Sequence, residues 1–155
     1  MVQGLYPRTL RAVAPQLGLK MLDAPVDSPL NESEYRRAFA DLAGKADALI
    51  VADWPTHLHY KSLVTELAKA ARLPAIYPWR DFVEVGGLMS YGTDLLELWE
   101  RAAVVMGLIL NGANPGDIPF YQPTRFKLAL NISTARSLGV TFPPTLLARA
   151  DEVIE

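Results

Sequence analysis

The stretch YPWRDFVEVGGLMSYGTD, residues 77–94, concentrates aromatic side chains that could bind a small ligand. Trp79 follows Tyr77 across one proline, and Tyr91 comes after two consecutive glycines. Asp53 and Trp54 form a second pair, which follows an apolar run at residues 46–52. Because aromatic rings sandwich apolar or aromatic ligands, we expect all five of these residues to line a ligand cleft.

Each of these residues also has an alternative role that needs no ligand. The four aromatic side chains could be partly buried core residues, and Asp53 could cap the helix that follows it. For Asp53 we favour the capping role over neutralisation of a ligand ammonium group. The two histidines, His57 and His59, point to different faces if helical, so we expect no metal site and no cofactor.

The composition favours a small or neutral partner. The chain has 155 residues, the size of one domain, with 15 basic and 17 acidic side chains and no basic block. That balance argues against nucleic acid and against an anionic membrane surface. There is no phosphate-binding glycine loop, nucleophile elbow or metal-binding helix motif, so we expect no enzyme. Residues 1–4 lack the features of a secretory leader, which predicts a cytoplasmic chain if it is expressed as written.

Apolar spacing in the first half predicts alternating helices and strands. We expect a helix over residues 5–17, which Pro15 ends or kinks. Two further helices are expected, one that begins after Asn31 and one over residues 56–72. Strands are predicted at residues 19–26, 46–52 and 73–77. This alternation is typical of an α/β domain with a parallel sheet, in which ligands gather at the carboxyl ends of the strands.

The second half predicts a strand at residues 88–91, a long helix from Thr93 or Asp94 to Leu110, and a strand at residues 126–132. A short helix at residues 133–138 and a terminal helix near Pro143 follow. The buried side of the long helix is predicted to carry Leu95, Leu98, Trp99, Ala102 and Met106.

The runs RLPAIYPWRDFVEVGGLMSYGTDLLELWERAA and ILNGANPGDIPFYQPTRFKLALNISTARSLGVTFPPTLLARADEVIE closely resemble the carboxyl-terminal part of ABC-transporter substrate-binding proteins of the tryptophan/tyrosine type. The resemblance is most specific from Leu73 to Glu155 and looser over residues 1–72. It implies a lobe of a type I periplasmic-binding-protein-like fold, in which two lobes close on a solute such as an amino acid. An ABC permease would then receive the solute, and the location would be periplasmic.

The resemblance also implies that an amino-terminal lobe is absent. Residues 1–86 would form the second lobe, and residues 87–155 would supply hinge-crossing strands, a long helix from the other, incomplete lobe, and the tail. The hinge crossings would lie near residues 87–92 and Asn131. We therefore expect a homo-oligomer that buries the long helix and the Phe126 strand between chains. The alternative is a truncated remnant that folds by self-association and binds nothing.

Overall fold

A computed structural model describes the backbone of residues 5–155 and the side chains from Arg8 onward. Residues 1–4, on which the prediction of no leader rests, lie outside the described residues. The described chain is an α/β structure built on one five-stranded sheet in the order β1-β2-β3-β4-β5. The strands are Leu49–Ile50, Ala75–Tyr77, Met89–Thr93, Phe126–Asn131 and Glu152–Ile154. This confirms the predicted fold class.

The sheet is mostly parallel, with one antiparallel pair at its centre. β1 pairs with β2 and β2 with β3 in parallel, and β4 pairs with β5 in parallel. β3 and β4 run antiparallel, with Tyr91 opposite Leu128 and Thr93 opposite Phe126. As a result, the carboxyl ends of β1, β2 and β3 and the amino ends of β4 and β5 lie along the same edge.

Eight α-helices accompany these strands in the described residues. They are α1 Leu5–Val13, α2 Glu32–Leu42, α3 Pro55–His59, α4 Lys61–Ala70, α5 Arg80–Glu84, α6 Leu95–Leu110, α7 Ile132–Leu138 and α8 Pro144–Leu147. As predicted, α1 ends before Pro15, and a 3-10 turn at Ala14–Leu17 follows it. The single helix predicted at residues 56–72 is divided at Tyr60 into α3 and α4.

Local capping signals place several helix ends correctly. The side chain of Asn31 accepts a hydrogen bond from the Glu34 amide at 3.1 Å, which starts α2 as the sequence predicts. Asp94 caps α6 through the Leu96 amide at 3.1 Å. Gly139 adopts a left-handed conformation, φ 73°, which ends α7.

Two predictions about extended segments and burial are wrong. Residues 19–26 form no strand; Leu19 and Leu22 are exposed, and the segment has no neighbouring strand to supply a ladder. The predicted buried side of α6 is not buried either: none of its sixteen residues is buried, and Trp99 is 72% exposed. β5 was not predicted at all.

Two hydrophobic clusters hold the sheet between its helices. The first packs α2, α4 and α5 on β2 and contains Tyr35, Phe39, Val64, Ala68, Ala75, Tyr77 and Phe82. The second packs α7 and Phe142 on β4 and contains Leu88, Leu128, Leu130, Ala135 and Phe142. The site described below therefore rests on a well-packed sheet. No helix in the described range is long and apolar enough to cross a bilayer.

Candidate functional site

The predicted ligand residues map to the carboxyl ends of the three parallel strands. Asp53 and Trp54 follow β1, Trp79 follows Tyr77 at the end of β2, and Tyr91 lies within β3. Because β1, β2 and β3 are parallel neighbours, their carboxyl ends lie at one edge of the sheet, which we call the aromatic edge. Four of the five side chains are at least partly exposed there, whereas Tyr77 is not.

Asp53 does not cap α3, contrary to the role we favoured from the sequence. The cap residue is Trp54, in an extended conformation and without a side-chain cap bond, and Pro55 opens the helix. The carboxylate of Asp53 is exposed and makes no hydrogen bond or ion pair with the described residues. The Trp54 ring beside it is 47% exposed. The loop after β1 therefore presents an unpaired carboxylate next to an indole.

Tyr77 lies in the core, where it supports the aromatic edge from behind. It is 2% exposed, and its ring stacks on Phe82 with centroids 4.8 Å apart. Phe82 is fully buried and also stacks against Trp79, with centroids 6.4 Å apart. Burial raises the pKa of Tyr77 to about 12, so this phenol stays neutral near pH 7. Of these three rings, only Trp79 reaches the surface.

Tyr91 forms an exposed aromatic pair with Phe126. The rings are nearly parallel, with centroids 5.6 Å apart, and both are about half exposed. Phe126 is opposite Thr93 in the antiparallel ladder, so it is the diagonal neighbour of Tyr91. The pair adds an apolar surface at the β3–β4 part of the aromatic edge.

Gly92 brings β3 unusually close to the turn after β2. A Cβ atom at position 92 would lie 1.9 Å from the carbonyl oxygen of Pro78, which is far inside van der Waals contact. Only glycine permits this approach. The contact fixes the turn that carries Trp79 relative to the strand that carries Tyr91.

Two ion pairs lie at the aromatic edge. Arg80 at the start of α5 binds both carboxylate oxygens of Glu152 in β5, one of them at 2.8 Å, and this pairing lowers the pKa of Glu152. Lys127 contacts Asp94 at 2.8 Å, and that bond lowers the pKa of Asp94. Both carboxylates are neutralised by these partners, unlike that of Asp53.

His57 in α3 is used within the fold. Its Nδ1 lies 2.7 Å from the Tyr35 hydroxyl, and the two rings meet edge to face with centroids 5.7 Å apart. Burial lowers the pKa of His57, so its ring is neutral near pH 7 and Nδ1 can accept a hydrogen bond from the hydroxyl. No cluster of metal-ligating side chains is found among the residues described.

A depression of about 360 Å³ lies away from the aromatic edge. Its lining residues come before β1 and β2, at the amino ends of those strands: Ala43, Gly44, Ala46, Asp47, Ala71, Arg72 and Leu73. It has no aromatic side chain. The side chains suited to an apolar or aromatic solute therefore lie on the open surface of the aromatic edge, at the opposite ends of the strands.

Sequence reasoning missed two features of the site. It treated Phe126 only as a strand residue, although the stacking on Tyr91 follows from the β3–β4 register. It also missed the Arg80–Glu152 pair, whose partners are 72 residues apart. Both features depend on strand pairing between distant segments. The alternating pattern of β4 could have suggested the first but not the second.

Comparison with known proteins identifies the same family along nearly the whole chain. Residues 6–154 match the family described as ABC transporter substrate binding protein. A tyrosine-binding protein of Clostridioides difficile is 27% identical over 108 residues, which cover 70% of this chain and 31% of that protein.

Two solved structures share the fold. An ABC domain from Streptococcus pneumoniae in complex with L-Trp is 26% identical with a TM-score of 0.84, over 96% of this chain and 52% of that one. A conserved domain protein from Vibrio cholerae is 24% identical with a TM-score of 0.85, over 96% and 49% of the two chains. The chain thus spans about half the length of these structures and about a third of the curated relative. With a family match over residues 6–154, the chain belongs to the ABC transporter substrate-binding proteins.

Proposed function

We propose that the chain is a solute-binding component of an ABC-type importer and that it holds an amino acid with an apolar or aromatic side chain at the aromatic edge. Family membership points to binding rather than catalysis. The observation that carries the choice of site is the placement of Trp54, Trp79 and Tyr91 at one edge of the sheet, beside the unpaired carboxylate of Asp53.

Each of these side chains has a role suited to an amino acid. The Asp53 carboxylate would pair with the ligand ammonium group, because the other acids at this edge, Asp94 and Glu152, are already paired with basic residues. Trp54, Trp79 and Tyr91 would contact the ligand side chain. In this proposal Tyr77 does not touch the ligand but holds Trp79 in place through Phe82.

The ligand class is supported by two relatives. One is a tyrosine-binding protein, and another was solved in complex with L-Trp. An aromatic amino acid also suits the three rings, since its flat side chain can stack on them or meet them edge to face. We therefore place aromatic amino acids first among the candidate solutes.

Binding would be coupled to closure of two lobes, and the closed form would deliver the solute to an ABC permease. In this scheme residues 1–86 belong to one lobe, and the segments near residues 87–92 and Asn131 cross the hinge. The Gly92–Pro78 contact lies at that crossing, where it would transmit movement of Trp79 to β3. Members of the family act outside the cytoplasm, and we propose a periplasmic location for this protein too.

Isothermal titration calorimetry with L-Trp, L-Tyr, L-Phe and L-Asp tests the proposal. The open edge buries less of a ligand than a closed cleft does, so we expect dissociation constants of about 0.1–1 mM for the aromatic amino acids. L-Asp should not bind, because it offers no ring to stack and brings a second negative charge near Asp53.

Three variants locate the site. Trp79→Ala and Asp53→Asn should each weaken L-Trp binding by about tenfold or more. The matched control is Phe120→Ala, which removes a fully exposed aromatic ring in the connector and should leave affinity unchanged. Equal loss in all three variants, or no heat with any aromatic amino acid, would refute the assignment of the site.

A further inference from the structure

A hydrogen bond between Tyr35 and His57 joins the short helix α3 to the core. The hydroxyl of Tyr35 lies 2.7 Å from Nδ1 of His57, and the two rings meet edge to face. Tyr35 is 2% exposed and belongs to the first hydrophobic cluster, so its ring is held firmly in α2 by close packing. The bond therefore ties α3 to a rigid part of the fold.

The helix α3 has few other attachments. It has five residues, Pro55–His59, and none of them is buried. A helix this short is not stable by itself in water, so its position depends on contacts with the rest of the fold. Leu58 packs against the first cluster. Among the described residues, the bond with Tyr35 is the one side-chain hydrogen bond that α3 makes.

The start of α3 carries the part of the proposed ligand site that follows β1. Trp54 is the cap residue of the helix, and Asp53 immediately precedes it. The backbone amide of His57 donates to the Trp54 carbonyl at 2.9 Å, and the Trp54 amide donates to the Ala52 carbonyl at 2.9 Å. A shift of His57 would therefore move the indole of Trp54 and the carboxylate next to it.

We propose that the Tyr35–His57 hydrogen bond positions the loop at residues 53–54 for the ligand. This role rests on the proposed function, in which both residues of that loop contact the solute. Tyr35 is too deeply buried to touch a solute itself, and His57 acts through the backbone of α3. Both are positioning residues.

The surroundings of His57 make this role dependent on pH. Tyr35 contacts its ring from α2, and Tyr60, at the junction of α3 and α4, contacts Tyr35 with ring centroids 4.9 Å apart. Both neighbours are phenols, and burial raises the pKa of Tyr35 to about 12. His59 lies on the same helix and is exposed.

No carboxylate of the described residues pairs with His57. The charged residues nearest to the two tyrosines in the sequence have other partners, since Glu32 binds Arg36 and Lys61 contacts Asp81. A protonated His57 would thus be a partly buried cation without a counter-ion, and its Nδ1 could no longer accept the hydroxyl bond. Because burial lowers the pKa of this ring, the loop should be released as pH falls below about 6.5.

Nuclear magnetic resonance on the complete chain tests the positioning without a ligand. The chain has three tryptophans, and Trp54→Phe identifies the indole N–H signal of Trp54 by its loss. At about pH 7.5, Tyr35→Phe keeps the buried ring but removes the hydroxyl, and it should displace that signal by more than its linewidth. The matched control Tyr60→Phe removes a hydroxyl that bonds the Leu30 carbonyl at 3.4 Å, and it should leave the signal in place.

Calorimetry with L-Trp tests the consequence for the site. Tyr35→Phe should weaken binding by roughly three- to tenfold, the range for loss of one hydrogen bond, whereas Tyr60→Phe should change it by less than about twofold. Lowering the pH from about 7.5 to about 5.5 should weaken wild-type binding at least about threefold. His57→Asn should bind equally at both pH values, because its amide oxygen can accept the Tyr35 bond but does not titrate.

Two outcomes would overturn the positioning role. One is a Trp54 signal that responds equally to Tyr35→Phe and Tyr60→Phe, or to neither, in variants that circular dichroism shows to be folded. The other is a wild-type affinity that does not change with pH over this range. A wild type that binds no aromatic amino acid would instead refute the proposed function, and the indole signal would still decide whether the hydrogen bond holds the loop.

Discussion

Replacing Gly92 with alanine tests how tightly the turn that carries Trp79 is packed against β3. The new Cβ atom would lie 1.9 Å from the Pro78 carbonyl oxygen and 3.0 Å from its carbonyl carbon. Both neighbours are backbone atoms, so no side-chain rotation relieves the overlap. Ordinary contact needs about 3.5 Å between heavy atoms, and the strand and the turn would have to move apart by roughly 1.5 Å.

We expect Gly92→Ala to lower the free energy of unfolding by about 2–4 kcal/mol, the range for overpacking in a rigid site. For a chain of 155 residues this corresponds to a melting temperature lower by roughly 5–12 °C. Differential scanning calorimetry measures the shift. Because the turn would be displaced, L-Trp binding should also weaken, even at temperatures where the variant is folded.

Gly107→Ala is the matched control. Gly107 lies within α6, and a Cβ atom there meets nothing within 4 Å. Alanine favours the helix over glycine by about 0.5–1 kcal/mol, so this variant should be as stable as the wild type or slightly more stable. If Gly92→Ala melted within 1 °C of the control, the close approach of β3 to Pro78 would not exist in solution, and the coupling we infer between Trp79 and Tyr91 would fail.

Three further predictions concern buried or capping polar groups. Burial lowers the pKa of folded His57 below its ordinary value of about 6.5, so the unfolded state binds more protons as pH falls through about 6.5. Stability measured by urea unfolding should therefore be full above that pH and fall below it, and His57→Phe should flatten this part of the profile. Asp94→Ala removes the α6 cap and should cost about 1 kcal/mol, seen as lower helicity by circular dichroism. Asn131→Ala should cost about 2–3 kcal/mol in the same unfolding assay, because the buried amide bonds both the Thr134 amide and the Val83 carbonyl. A change below 0.5 kcal/mol in either alanine variant would contradict these assignments.

Local sequence signals predicted the helices well because the interactions that start and end them are local. Asn31 and Glu34 are three residues apart, and Gly139 ends α7 through its own backbone conformation. β3 and β4 were also located, since each combines an apolar pattern with a nearby turn signal. In each case the determining contacts lie within a few residues of one another.

Strand pairing was less predictable because it depends on segments far apart in the chain. Leu19 and Leu22 lie in a segment that resembles a strand, yet no neighbouring strand is available and their side chains are exposed. β5 has only three residues and is formed because β4 offers a parallel edge to it. An apolar pattern thus identifies a possible strand, but the backbone of a partner decides whether the strand forms.

At the aromatic edge, too, the sequence predicts the positions of side chains along the chain but not which of them are buried. The sequence predicts correctly that Trp54 and Trp79 follow parallel strands and that Tyr77 ends one, but strand ends alone do not specify which side chain points inward. In β2, Ala75 and Tyr77 face the core on alternate positions, so the Tyr77 ring is enclosed. Trp79 lies beyond the strand, where that alternation no longer holds, and its ring reaches the surface over Phe82. The buried Tyr77 ring therefore supports the exposed Trp79 ring through Phe82. Substitution of Tyr77 should alter ligand binding only by moving Trp79.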